Sequence, residues 1–343
     1  MKKVLWIYTG RSSFVEKDIR LMQDYFEIDE FHFKHDAFII TVFSFIRLFF
    51  HLVFVRYDLM VCQFAGYQSF IPSVFHKIFK RKFLIIVGGT DCASIPEINY
   101  GNFNRKILGR VTAFSLKNCS YITAVDETLL FQEYTYDSRI SNQGIRYFVP
   151  DIKTPMNVIY NGYDSEKWFC NRIKKPNTFI TVNTGISALK RKGIDMIFDI
   201  ADDFPDCLFI IIGLNKRNLP FKEKPNIELH DFVPNNELIN YFSSSQFYLQ
   251  LSLMEGFPNA LCEAMLCECI PIVSEVAAMP KIVGDSGFVL KRRDVNELKK
   301  LISNALNSDK VTLAKKARKR IQENFTEERR KGELKALMDN IIG

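Results

Sequence analysis

The chain has 343 residues, of which 47% are hydrophobic and 25% charged, and its formal net charge is +7. That length exceeds what one hydrophobic core usually organises, so two domains are expected, and the composition is that of a globular protein rather than a disordered or low-complexity one. The mild positive charge fits an anionic ligand or an acidic membrane surface without requiring either, and nucleic acid is disfavoured because no zinc-finger spacing, RNP-like aromatic motif or long basic stripe is present.

"MKKVLWIYTG" begins like a leader, but its apolar run is too short and no cleavage site follows, so it reads as a first strand. "SSFVEKDIRLMQDYF" then has a cap-like serine and helical spacing. "IDEFHF", "DLMVCQF", "KFLIIVGG", "SYITAVD" and "NVIYNG" are short strands ending in turn residues. Between the first two of these lies "AFIITVFSFIRLFFHLVFV", Ala37 to Val55, with only Arg47 and His51 titratable. Thr41, Ser44, Arg47 and His51 recur at spacings of three and four, one polar stripe on a helix. Three placements are open for it: a membrane span, which a mid-segment Arg opposes, a buried core helix, or a helix resting on a membrane. "HKIFKRKF", His76 to Phe83, adds a basic, aromatic cluster of interfacial composition.

The second half repeats the alternation, with strands at "TFITVNTG", "CLFIIIGLN", "IELHDF", "FYLQLSL" and "CIPIVSE" and helical stretches between them. Strands separated by helices imply parallel sheets built from βαβ units, hence an α/β fold of two Rossmann-like domains facing across a cleft. One domain is expected over residues 1–165 together with a terminal amphipathic helix at about 325–343, the other over residues 166–324. The eight cysteines form no CxxC pair and read as buried thiols of a reducing cytosol. GxGxxG and GxxxxGK[ST] are absent, so dinucleotide and P-loop readings lack their carrying motif.

Chemistry concentrates in "SLMEGFPNALCEAM", Ser252 to Met265. It reads as the end of a strand, a turn, and a helix whose first position suits Pro258. The amides of Asn259, Ala260 and their neighbours at such a helix tip form an anion site fit for a diphosphate, and Gly256 allows close approach to the backbone. Glu255 lies before the tip and Glu263 five residues into the helix, so a diphosphate on the tip could place a hydroxyl-bearing ring near each carboxylate. A nucleotide-sugar has that shape. The alternative is a pair of solvent-facing helix-start glutamates. In "TVNTGISALKRKGIDMIFDIADDF", Lys190, Arg191 and Lys192 stand just before Gly193, placed either to reach phosphate oxygens or to form a solvated basic loop.

"EGFPNALCE" resembles the E-x7-E motif of glycosyltransferase family 4, retaining enzymes of the GT-B fold. "NVIYNGYDSEKWF", "TGISALKRKGIDMIFDIA", "ECIPIVSEVAAMPKIVGDSGFVL" and "IIVGGTD" resemble further segments of that family, most strongly from about residue 157 to 290. The resemblance implies that Glu255 holds donor-sugar hydroxyls, Glu263 the ribose, and the backbone around Phe257 to Ala260 the sugar and phosphates. It implies that Lys192 neutralises the diphosphate and that Asp91 reaches the reaction centre, unless Asp91 is simply a turn aspartate. The loop beginning at Gly185 departs from the family, because Ile186 stands where an Arg is expected. Lys190 or Arg191 is the candidate replacement.

A nucleotide diphosphate is already a good leaving group, so electrostatic stabilisation by Lys192 and the helix tip suffices, and neither a nucleophile set nor a metal is required. The expected reaction is retaining hexosyl transfer from a nucleotide-sugar to a saccharide acceptor. That acceptor is expected to be lipid-linked, in bacterial-type surface polysaccharide or glycolipid assembly, with the enzyme cytoplasmic and peripheral at an anionic inner membrane face. A non-catalytic nucleotide-sugar binder and a GT-B epimerase are the alternatives.

Overall fold

The computed structural model describes residues 1–215 and 219–343. The chain divides into two compact units, one of Met1–Glu133, Asn142–Asn161 and Glu328–Gly343, the other of Tyr134–Ser141 and Gly162–Glu327. The boundaries expected from sequence keep Tyr134–Ser141 with the first domain. Backbone and side-chain bonds tie it instead to residues of the second: Arg293 N–H donates to the Tyr136 carbonyl and the Tyr134 hydroxyl to the Leu253 carbonyl.

The first unit carries strands β1 (Lys2–Tyr8), β2 (Phe26–His32), β3 (Leu59–Gln63), β4 (Phe83–Val87), β5 (Tyr121–Ala124) and β6 (Met156–Val158). Its helices are α1 (Ser13–Gln23), α2 (Phe38–Phe54), α3 (Tyr67–Phe79), α4 (Lys106–Lys117) and the short α5 (Ile145–Phe148). The sheet is parallel throughout in the order β2-β1-β3-β4-β5-β6, with Val4 opposite Leu59 and Met60 opposite Phe83. Every residue of β3 and β4 is buried, as a parallel strand covered on both faces requires.

The second unit holds β7 (Lys175–Val182), α6 (Ile194–Ile200), β8 (Leu208–Ile212), β9 (Ile227–His230), α7 (Asn235–Ser244), β10 (Ser245–Gln250), α8 (Asn259–Leu266), β11 (Ile270–Ser274), α9 (Met279–Val283), β12 (Phe288–Leu290), α10 (Val295–Leu306) and α11 (Lys310–Asn324). This sheet is also parallel, ordered β12-β11-β10-β7-β8-β9. The Phe179 ring stacks on Phe247 of β10 and Phe209 of β8, at centroid distances of 4.6 and 5.2 Å, which pins the middle of the core. A last helix, α12 (Glu327–Ile342), lies almost wholly in the first unit. Its Arg330 makes a buried fork with Asp18 of α1, both bonds 2.6 Å, and donates to the carbonyls of Ile159 and Tyr160.

All eight cysteines are free, seven of them buried and Cys170 half-buried. Among the described residues no helix is long and apolar enough to cross a membrane. Nor is α2 a core helix, since only Ser44, Leu48 and Leu52 are buried along it. Three residues of its polar stripe bond back to the unit, Ser44 buried, His51 half-buried and Arg47 exposed. Ser44 Oγ donates to the Lys34 carbonyl, Arg47 to the His32 carbonyl, and His51 pairs with the Tyr57 hydroxyl at 2.7 Å. Most of the apolar residues, Phe43, Ile46, Phe50 and Phe54 among them, are left outside, while Leu48 and Leu52 are buried.

Candidate active site

In open parallel sheets a ligand crevice forms beyond the strand carboxyl ends where the strand order reverses. In the second unit that point is between β7 and β10, since β8 and β9 run out on one side of β7 and β10 to β12 on the other. The loops leaving these two strands hold the residues singled out from sequence.

The loop after β7 starts with Asn183, whose side-chain amide donates to the Gly185 carbonyl. Gly185 has φ of +96° and opens a short 3-10 turn, Ile186–Ala188. The loop is drawn onto the end of β10 at its far side, where Leu253 N–H donates to the Arg191 carbonyl at 2.7 Å. Gly193 sits at φ +69°, and a Cβ there would run into the Leu251 carbonyl and side chain, so glycine is required by both conformation and space.

That docking sets Lys192 against Glu255. Lys192 Nζ donates to Glu255 Oε1 at 2.6 Å, and Arg191 Nη1 lies 3.7 Å from the same oxygen. Both the Lys192 and Glu255 side chains are nearly buried. Burial by itself would raise the Glu255 carboxyl, but the Lys192 and Arg191 charges and hydrogen bonds from Lys192 and Ser252 outweigh it, and the group is held below the ordinary carboxylate range. Lys190 is exposed on the loop and Ile186 is 45% exposed on its turn. Of the two candidate replacements for the missing Arg, the fold therefore brings Arg191 to the carboxylate.

On the other side of the turn, Pro258 is the N-cap of α8 and not its first residue, with φ −71° and ψ 107°. The amides of Asn259, Ala260 and Leu261 then head the helix, where no carbonyl of the same helix can accept from them. Two side chains of the turn have structural partners. The Phe257 ring stacks on Tyr163 and meets Phe325 edge-on, and the Tyr163 hydroxyl donates to Asn259 Oδ1 at 2.7 Å. Backbone N–H groups that a ligand could meet here are those of Gly256, Phe257, Asn259 and Ala260; Pro258 has none and shapes the turn. Glu263 is the fifth residue of α8, 7% exposed, with the side-chain nitrogen of Asn235 at 3.5 Å from both carboxylate oxygens.

Sequence reasoning missed the layer beneath. Tyr248 donates its hydroxyl to Gln250 Oε1, and Gln250 Nε2 donates to Ser252 Oγ and to Glu255 Oε1, at 2.8, 2.8 and 3.0 Å. Ser252 also donates to Glu255, at 2.7 Å. The sequence does carry a signal for this layer: Tyr248, Gln250 and Ser252 alternate with Phe247, Leu249 and Leu251, a polar face at strand period inside an otherwise apolar run.

Asp91 lies in the first unit, in a 3-10 turn after β4, and is wholly buried. Its carboxylate accepts the amides of Ala65, Gly88 and Gly89, at 2.9, 3.1 and 3.0 Å. Burial raises this carboxyl despite those amides. These bonds make Asp91 an organiser of its turn. The turn borders a cavity of about 390 Å³ at the β1/β3 reversal, lined among others by Thr9, Phe64, Tyr67, Tyr100 and Arg105. No cluster of His, Cys, Asp and Glu able to hold a metal occurs among the described residues.

Residues 164–327 match the family model described as Glycosyl transferases group 1. Over 145 residues the chain is 23% identical to a phosphatidylinositol N-acetylglucosaminyltransferase subunit of Arabidopsis thaliana, covering 39% of this chain and 32% of that one. The chain spans less than half the length of the curated relatives it matches. Its whole fold is similar to sucrose-phosphate synthase of Thermosynechococcus elongatus, with TM-score 0.77, 13% identity and 99% of both chains covered. It is likewise similar to HepE of Anabaena, whose structure is in complex with UDP-glucose, with TM-score 0.73, 13% identity, and 99% and 100% of the chains covered. The two parallel α/β units are those of the GT-B fold.

Proposed function

We propose, from the premise that residues 164–327 belong to the glycosyl transferases group 1 family, that the chain transfers a hexose-type sugar from a nucleoside-diphosphate sugar to a saccharide acceptor with retention at the anomeric carbon. The observation that carries this reading is the convergence of Lys192 and Arg191 on Glu255 at the turn into α8. When a donor binds, its diphosphate takes the α8 amides and the two cations, which stabilise the charge that develops on the leaving group. Glu255 then accepts from hydroxyls of the donor sugar and Glu263 from the ribose. With these positive groups at the phosphates, the reaction runs without a divalent ion.

The acceptor is a lipid-linked saccharide met at the membrane surface, in surface polysaccharide or glycolipid assembly. The likeness to a phosphatidylinositol N-acetylglucosaminyltransferase subunit supports this, as does the exposed apolar face of α2.

The test is a binding and hydrolysis screen over UDP-, GDP- and ADP-sugars with and without EDTA, followed by NMR of the fresh product. One nucleotide series should bind, turnover should survive EDTA, and the product should keep the donor's anomeric configuration. Inversion would overturn the mechanism. Tight nucleotide binding with neither hydrolysis nor transfer would favour the non-catalytic binder, whose support is Ile186. The position of Arg191 weakens that alternative.

A further inference from the structure

The direction of α2 is the starting point. Phe43, Ile46, Phe50 and Phe54 follow helical spacing and are 67%, 49%, 51% and 80% exposed. The exposed end of α3 continues this face, with Ile78 63% and Phe79 62% exposed. The two are joined through ring contacts, Phe49 to Phe75 at 5.7 Å and Phe75 to Phe79 at 5.4 Å. Arg81 fastens the junction by donating to the carbonyls of Leu52 and Val55. A contiguous apolar surface of this kind marks a docking site on a folded protein.

Charge selects the occupant. Neither Ala37–Arg56 nor Tyr67–Lys82 contains an Asp or Glu. Arg56, Lys77 and Lys80 are exposed at the rim. Arg81 and Lys82 are engaged internally, Lys82 with the Ile342 carbonyl, so the basic cluster divides into struts and outward-facing charges. A second copy related by a twofold axis would bring the same basic rim against itself, which like charges oppose. An anionic bilayer offers hydrocarbon for the phenylalanines and phosphates for the rim.

We infer that α2 and the carboxyl end of α3 form a docking surface for an anionic lipid bilayer, with α2 lying in the plane of the interface. This deepens the reading of a lipid-linked acceptor, on which only its purpose depends. The helix is held by its polar stripe to the β2 edge of the unit and immerses its outer face. In-plane geometry follows because 17 residues extend only about 25 Å, short of a span, while one whole side is apolar.

The experiment is flotation of the full chain with vesicles of pure phosphatidylglycerol or pure phosphatidylcholine at low salt, with nucleotide binding measured in parallel. The native chain should float with phosphatidylglycerol and far less with phosphatidylcholine. Phe50→Ser with Phe54→Ser should lower the partition by at least about tenfold. Lys77→Ala with Lys80→Ala should lower it by about thirtyfold on phosphatidylglycerol alone. Intact nucleotide binding in both variants keeps this result separate from the donor-site reading and shows that the chain still folds. Undiminished flotation of both variants would overturn the inference, as would equal flotation with the two lipids. So would light scattering that finds a dimer which the Phe50/Phe54 variant dissolves, since that would make the face a contact between copies.

Discussion

Glu255 is a buried carboxylate supported by four donors of different kinds: an ammonium, a guanidinium at longer range, a hydroxyl and an amide. Its folded value lies below that of the unfolded chain, so the pairing stabilises above the unfolded carboxylate's range and is lost as pH falls through the folded value. Lys192→Met removes the main partner and leaves burial to raise the group. The variant should be least stable near neutrality and regain part of its stability on acidification, the reverse of the native trend. Thermal melts across the acid range check the sign. Gln250→Leu should lower kcat roughly tenfold, about one hydrogen bond to a charged group, with little change in donor KM, because Gln250 aims the carboxylate from below. Steady-state kinetics decide this, and unchanged kcat would mean that Ser252 and Lys192 suffice. The motif residues were legible in the sequence because their spacing is itself the signal. The polar face of Tyr248, Gln250 and Ser252 could be read from its alternation, but not its partner, because Gln250 meets Glu255 only when the turn after β10 folds back over the strand end.

At the scale of elements, the Asp18–Arg330 fork shows how α12 is attached to the first unit. Both side chains are within 2% of full burial. Asp18→Asn should cost about 3–5 kcal/mol, since it leaves a buried guanidinium without its counter-charge, whereas replacing both residues by apolar ones should cost far less. Denaturant melts of the two variants distinguish these outcomes. For α2 the sequence disclosed a helix and its polar stripe, but not which way the stripe would turn. Periodicity gives relative phase around a helix, and the Lys34 and His32 carbonyls and the Tyr57 hydroxyl, together with the burial of Leu48 and Leu52, decide which side is inward. Pro258 differs for a similar reason, its ψ of 107° placing it one residue outside the helix.

On the scale of the whole molecule, two sheets with separate cores predict separable unfolding. A nucleotide held by α8 and Lys192 acts on the second unit. At a hundredfold excess over Kd it should stabilise that unit by about 2.7 kcal/mol and leave the first unchanged. Calorimetry with and without nucleotide reads this directly, and an equal shift of both transitions would contradict it. The α/β class was readable because each strand is a local apolar run closed by turn residues. The strand orders were not, since β10 pairing with β7 rather than β9 joins residues far apart in the chain.

The Lys192–Glu255 pair makes occupancy of the site an exchange. An incoming anion does not meet a waiting cation; it must win Lys192 from a carboxylate already bonded to it at 2.6 Å. Chloride or acetate would trade one single negative charge for another and gain little. A pyrophosphate bound as proposed would spread several charges over Lys192, Arg191 and the helix amides together, while Ser252 and Gln250 keep hold of the displaced carboxylate. If the donor binds as proposed, the native salt bridge is a cost that a multivalent diphosphate offsets better than a monovalent anion does.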